Sequence, residues 1–221
     1  MYAAAFKAFT QLWTPPFRSV LFRSFGLTVV LLIVAIVAIQ TAFGALVALP
    51  GWVEWMIQIV GGLGLFVGSV FLIAPITSLI AGLYLDDIAS HVERSDYSEE
   101  PPGRPLGALE GLGISLKFGL VVIAVNIGVL FLLLLPGINI MAFFLANGYL
   151  LGREYFELAA MRYMEPREAR ALRRANRVRV LLSGFAIAGM VSIPLLNLLT
   201  PLFATAFMVH TVKGVLAQRR R

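Results

Sequence analysis

The sequence contains no cysteine. Disulfides, thiolate metal sites and a cysteine nucleophile are therefore excluded. Histidine is nearly as scarce: His91 and His210 are the two present, and they lie far apart in the chain. The spacings G-x-S-x-G, H-E-x-x-H and G-x-x-x-x-G-K-[ST] are missing too, so hydrolytic, zinc-dependent and nucleotide-powered readings lose their usual support. Charge is sparse, with Asp, Glu, Lys and Arg making up 14% of residues, where a soluble domain carries about a quarter. What fills the space is apolar: 59% of residues are hydrophobic and mean hydropathy is +0.87. These values describe an integral membrane protein. The apolar runs are long and lack the ten-residue alternation of an outer-membrane barrel, so the expected fold class is all-α, of the inner-membrane kind. The first run is too long for a signal h-region and no A-x-A site closes it, so it is expected to remain as a span. No cofactor, metal or nucleic-acid partner is implied, and no enzymatic activity.

Taken in order, Met1 to Ser24 alternates Phe6, Phe9, Leu12, Trp13 and Phe17 with Lys7, Gln11, Arg18 and Arg23, the pattern of a helix lying in the membrane interface. Thr14-Pro15-Pro16 ends it, and the prolines suit the first turn of a new helix feeding the span 25–49. A turn with Trp52 and Trp55 leads to a second span, 57–85, in which Gly61, Gly62, Gly64 and Gly68 are spaced for close helix approach. Beyond Tyr84 the helical pattern continues out of the membrane before a polar, proline-rich loop, the whole segment 86–110 being acidic. Two broken apolar stretches follow, 111–151 interrupted at Pro136-Gly137 and 181–212 interrupted at Pro194 and Pro201, with the strongly basic segment 152–180 between them. An arm such as Leu181 to Ile193 measures about 20 Å as helix, short of a hydrocarbon core of roughly 30 Å. A proline also removes a backbone donor and clashes with the preceding turn. Each broken pair is thus either a hairpin that turns inside the bilayer or a pair of crossing helices; both return the chain to its starting side. The N-terminal segment, the 152–180 segment and the C-terminal tail carry the basic excess that gives the net charge of +6, so the positive-inside rule places them, and both termini, in the cytoplasm.

Irregular backbone at membrane depth is tolerated only where protein or water shelters it. Ser192, Asn197 and Thr200 at the second break, with Asn139 near the first, are therefore candidates to line a cavity, as corresponding interruptions in two halves of a membrane protein do. Arg18, Ser19 and Arg23 lie at the start of the first membrane helix. There a guanidinium beside a helix N-terminus suits a tetrahedral oxyanion, although arginines flanking a span also serve as interfacial anchors. The arginines of 167–179 could funnel anions, contact acidic lipid or simply form a solvated flank.

The order and spacing of P-P-F-R-S-V, I-A-P-I-T-S-L-I-A, L-P-G-I, R-A-L-R-R-A-N-R and S-I-P-L-L-N-L-L-T-P resemble the CysZ family of bacterial sulfate permeases. The resemblance implies two full transmembrane helices, two proline-broken and partly penetrating helical hairpins, amphipathic interfacial helices and a homo-oligomer in the bacterial inner membrane. It also implies sulfate import for cysteine synthesis. It assigns sulfate binding to Phe17, Arg18 and Ser19, where Pro16 stands for the family's glycine and Ser19 for its second arginine, with Arg23 a turn further on. It assigns the polar position after the proline of the second helix, Thr77, to the pore. The competing expectation is a non-transporting scaffold or assembly factor that docks partners through the basic 152–179 loop.

Overall fold

The computed structural model describes residues 2–46, 51–105 and 138–219. The first arm of the first broken stretch, its Pro136-Gly137 break and the turn at Pro50 lie outside these residues. Among the described residues all regular structure is helical: α1 Tyr2–Gln11, α2 Pro15–Leu46, α3 Gly51–Gly82, α4 Leu85–Asp96, α5 Ile138–Met161, α6 Pro166–Ala175, α7 Arg177–Val191, α8 Pro194–Asn197 and α9 Thr200–Arg219.

Pro75 lies inside α3, but three other prolines mark helix starts. Pro15 opens α2, Pro166 opens α6 behind a reciprocal cap between Glu165 and Glu168, and Pro194 opens the single turn of α8. At a first helical position the missing N–H costs nothing and the fixed φ is already helical. The Pro194 break is thus a corner: α7 stops at Val191, α8 makes one turn packed on α3, and α9 leaves at Thr200. The arm after the first break, by contrast, does not stop at Leu151. It continues as one helix through Gly152–Met161, into the 152–180 segment.

Two regions bury their residues differently. The first is α2 with α3, each 32 residues and about 48 Å long. They pack on each other and leave Val30, Leu31, Ile33, Val34, Leu63 and Phe66 exposed. A continuous apolar surface of this size is incompatible with water, and both helices contain windows long and apolar enough to cross a membrane. Their seam is held by polar contacts: Thr77 donates to Thr28 Oγ1 at 3.0 Å, Thr28 donates to the Ser24 carbonyl at 2.8 Å, and Gln40 packs on Gly62. Of the four glycines at which close approach along α3 is expected, Gly62 alone meets a neighbour among the described residues; a Cβ at Gly61, Gly64 or Gly68 would meet nothing within 4 Å.

The second region is a helical body around α9. Every residue from Thr200 to Lys213 is buried, and α1, α4, α5, α7 and α3 all pack on this helix. Phe203, Phe207, Met208, Val209 and Val212 join Ala8, Leu12, Ile88, Val92, Phe156 and Leu172 in one core. The tightest helix pair is α5 with α7. A Cβ at Gly152 would lie 2.6 Å from the Val180 carbonyl oxygen, and one at Gly184 would strike the Gly148 carbonyl, so these glycines let the two backbones touch.

Candidate functional site

The residues expected to bind an anion occupy the entrance of α2. Phe17 is fully buried, edge-on to His91 at 6.1 Å between ring centroids. Arg18 and Arg23 are exposed, and neither makes a hydrogen bond or ion pair with a described residue. Five residues apart on a helix, they sit about 140° from each other around its axis, so they present charge on two faces. The helix start offers few donors: Pro15 and Pro16 have no N–H, and the Arg18 N–H is taken by the Thr14 carbonyl at 3.1 Å. What this entrance offers an oxyanion is therefore two free guanidinium groups, with Ser19 partly buried between them in sequence.

The cavity candidates are dispersed. Thr77 is buried in the α2–α3 seam on Thr28. Ser192 and Thr200 turn their hydroxyls back onto the carbonyls of Ala188 at 2.9 Å and Leu196 at 3.3 Å, and Asn197 closes α8, partly buried. Asn139 falls in the first turn of α5. Both α8 and α9, which meet at the Ser192–Thr200 corner, pack on α3, the helix that carries Thr77.

Two polar assemblies that sequence reasoning missed join the helices of the body. Asp86, Ser90, Glu93 and Tyr97 recur at helical spacing along α4 and its end, on one face. Arg162, just past α5, lies against that face. Its guanidinium donates to both oxygens of Glu93, Nε to Oε1 at 2.8 Å and Nη2 to Oε2 at 3.1 Å, and also to Ser90 Oγ and Asp86 Oδ1. Tyr163 donates to Glu93 Oε1 at 2.6 Å and the Gly103 N–H to Oε2 at 3.1 Å, while Arg104 N–H reaches the Arg162 carbonyl at 2.7 Å. Position 103 must be glycine here, because a Cβ would stand 2.6 Å from Glu93 Oε1. Burial alone would raise the Glu93 carboxyl, but Arg162, Tyr163 and Gly103 more than offset it and hold the group below the usual carboxylate range.

The second assembly ties α1 to α4 and α9. Lys7 donates to Asp96 Oδ1 at 3.0 Å, and the Gln11 amide nitrogen donates to Asp96 Oδ2 at 2.5 Å. The Gln11 carbonyl faces His210 Nε2 at 3.0 Å, and Tyr97 Oη meets His210 Nδ1 at 2.9 Å. The directions assign one tautomer: Nε2 carries the proton and donates to Gln11, and Nδ1 accepts from the tyrosine, so a neutral imidazole satisfies every partner. Beside it Lys213, buried in α9, donates to Glu100 Oε2 at 3.0 Å with its ammonium 4.5 Å from the Tyr163 ring centroid. Burial, together with Asp96 and Glu100, pushes the Tyr97 hydroxyl up to about 12, keeping it a donor at neutral pH. The acidic segment after α3 is thus not a solvated loop but the counter-charge for Lys7, Arg162 and Lys213. Its regular acidic spacing on α4 was the signal available in the sequence.

A family model described as sulfate transporter CysZ/etoposide-induced protein 2.4 matches residues 4–201. The chain belongs to that family. No curated protein matches it. The match runs from α1 to the start of α9 and includes the α2 entrance, the α4 stripe and Arg162. Membership agrees with the lipid-facing α2–α3 pair in making this a membrane protein of transporter type.

Proposed function

We propose that the protein is a sulfate permease or channel of the bacterial inner membrane, supplying sulfate for assimilation into cysteine. The family match over residues 4–201 is the observation that carries this reading. In it, Arg18 with Ser19 and Arg23 recruits the dianion at the cytoplasmic end of α2, where the two exposed guanidinium groups have no acidic partner among the described residues. Conduction needs binding weak enough to release, and an entrance depleted of backbone donors meets that requirement. Thr77, Asn139, Ser192, Asn197 and Thr200 line the path, with the Pro194 corner turning within the bilayer. The protein works as a homo-oligomer, for which the open Gly61, Gly64 and Gly68 face of α3 supplies a surface of close approach. Both termini face the cytoplasm, and the protein catalyses no covalent step.

The test is uptake of labelled sulfate into vesicles holding the pure protein, with and without a pH gradient. Flux above empty vesicles is expected, reduced about tenfold or more in Arg18→Ala, since a hydrogen bond to a charged group is worth about 1.5–3 kcal/mol. Unchanged flux in that variant removes Arg18 from the site while leaving transport standing. No flux at all would favour the scaffold reading, in which the exposed Arg167, Arg170, Arg174 and Arg177 dock a cytoplasmic partner.

A further inference from the structure

The corner between α6 and α7 faces the N-terminus of α1 across an open groove of about 570 Å³, lined by Tyr2, Arg174, Arg177, Val178, Arg179 and Leu182 among others. Among the described residues no acidic side chain lines it. The neighbouring arginines are engaged elsewhere: Arg173 donates to Glu157 at 2.6 Å and Arg170 to the Pro166 carbonyl at 3.0 Å. Arg174, Arg177 and Arg179 make no hydrogen bond or ion pair with a described residue, so the groove gathers three unspent guanidinium groups.

An apolar rim adjoins them. Val178 is 65% and Leu182 46% exposed, beside the arginines on the first turns of α7. Tyr2 is the first residue of an aromatic stripe along α1, with Phe6, Phe9 and Trp13 following at steps of three or four residues and exposures of 84, 70, 43 and 63%. On another side of α1 and just past its end, Ala8 and Leu12 are buried in the core, and the Lys7–Asp96 and Gln11–His210 contacts fix the helix in place. The stripe is therefore held outward rather than free to fold in. Tyrosine and tryptophan with one apolar and one polar end suit the headgroup level of a bilayer. A guanidinium matches a phosphodiester bidentately, and the exposed aliphatic rim suits the start of an acyl chain.

We propose that this groove is a binding site for the phosphate headgroup of an acidic phospholipid, with the α1 stripe seated in the same leaflet. The inference rests on the membrane assignment and is independent of the sulfate reading.

The experiment is native mass spectrometry of the full-length protein, titrated with phosphatidylglycerol or phosphatidylcholine in a neutral detergent. Phosphatidylglycerol is expected to bind more tightly, and Arg174→Gln with Arg177→Gln to weaken it by about fivefold per arginine. The control pair Arg167→Gln and Arg170→Gln removes the same charge from the exposed face of α6 and should change affinity by less than about twofold. Single Arg177→Gln serves if the groove double variant melts at a lower temperature. Equal weakening by both double variants would overturn the proposal by reducing it to a diffuse field. So would equal binding of the zwitterionic lipid, or displacement of phosphatidylglycerol by millimolar inorganic phosphate, which would mark a site for a soluble anion.

Discussion

Among the described residues, two sets of helices are apolar enough to cross a membrane, and they meet opposite surroundings. The apolar windows of α2 and α3 are 17% and 0% buried within the protein, whereas that of α9 is 83% buried. Mean hydropathy separates them modestly, 2.6 and 1.5 against 1.2, and 20 residues of α9 are already enough to cross, as are the 32 of α2 and of α3. The separation comes from what accompanies the apolar residues. In α9, Thr205, Thr211, His210 and Lys213 are each satisfied, the threonines by their own helix and the other two by α1, α4 and the turn after α4. Such residues are tolerated inside only with partners, so α9 is specified as a protein-facing helix by its polar minority. The α2–α3 pair carries few such groups, and lipid is an adequate partner for most of its surface.

The sharpest way to break this contrast is to remove a partner inside the body. Arg162→Ala leaves Glu93 buried without its cation, and loss of one member of a buried pair costs about 3–5 kcal/mol. Thermal unfolding in detergent should show a large fall in melting temperature or no folded protein. A melting temperature like that of the parent would mean that the cluster is not what holds α4 to α5.

Next in size is a comparison of carboxylates. Glu93 has a cation, whereas Glu154 on α5 has a buried Oε1 with no hydrogen-bond partner, and burial with the adjacent Glu157 pushes its carboxyl up to about 7. A carboxyl raised in the folded state binds its proton more tightly there than when unfolded, so stability falls as pH rises from about 4.5 to 7. The whole effect is at most about 3 kcal/mol. Unfolding measured between pH 5 and 8 should lose this slope in Glu154→Gln; a variant with the parent's slope would place the titration elsewhere. For Glu93 the sign is opposite: its contribution is present above the ordinary carboxylate range and is lost as pH falls through its lowered value.

The smallest effect tests packing. Gly184→Ala forces a methyl group against the Gly148 carbonyl and should cost about 1–3 kcal/mol by prying α5 from α7. Gly26→Ala, on α2, meets open space and should cost nothing or stabilise slightly, because alanine is the better helix former. Equal melting temperatures for the two variants would remove the distinction between protein-facing and open helix surfaces.

The all-helical class, the proline-initiated helices, the continuation beyond Tyr84 and the corner at Pro194 were legible because each depends on local chemistry: a missing N–H, a fixed φ, an apolar period. The partners of Lys7, Arg162, His210 and Lys213 were not, since they come from segments joined only by tertiary packing. His210 is buried between Tyr97 and Gln11 for that reason. Glycine spacing is resolved by tertiary packing in the same way. It marks where helices can touch, and α3 uses one of its four candidates while Gly148, Gly152 and Gly184, on helices with fewer such residues, make the close contact. At the anion entrance the arginines were readable, but the Thr14 carbonyl that consumes the Arg18 N–H was not.

The position of α9 in the chain carries a consequence for biogenesis. Gln11 and His210, which bond to each other, are 199 residues apart, and α1, α4 and α5 all precede the helix that supplies their common interior. During synthesis from N- to C-terminus these three must persist at the membrane with their inner faces uncovered until residues 200–213 are made. Quality-control proteases therefore have their best opportunity before the last helix arrives, and variants that slow its docking should be lost by degradation during insertion rather than by unfolding afterwards.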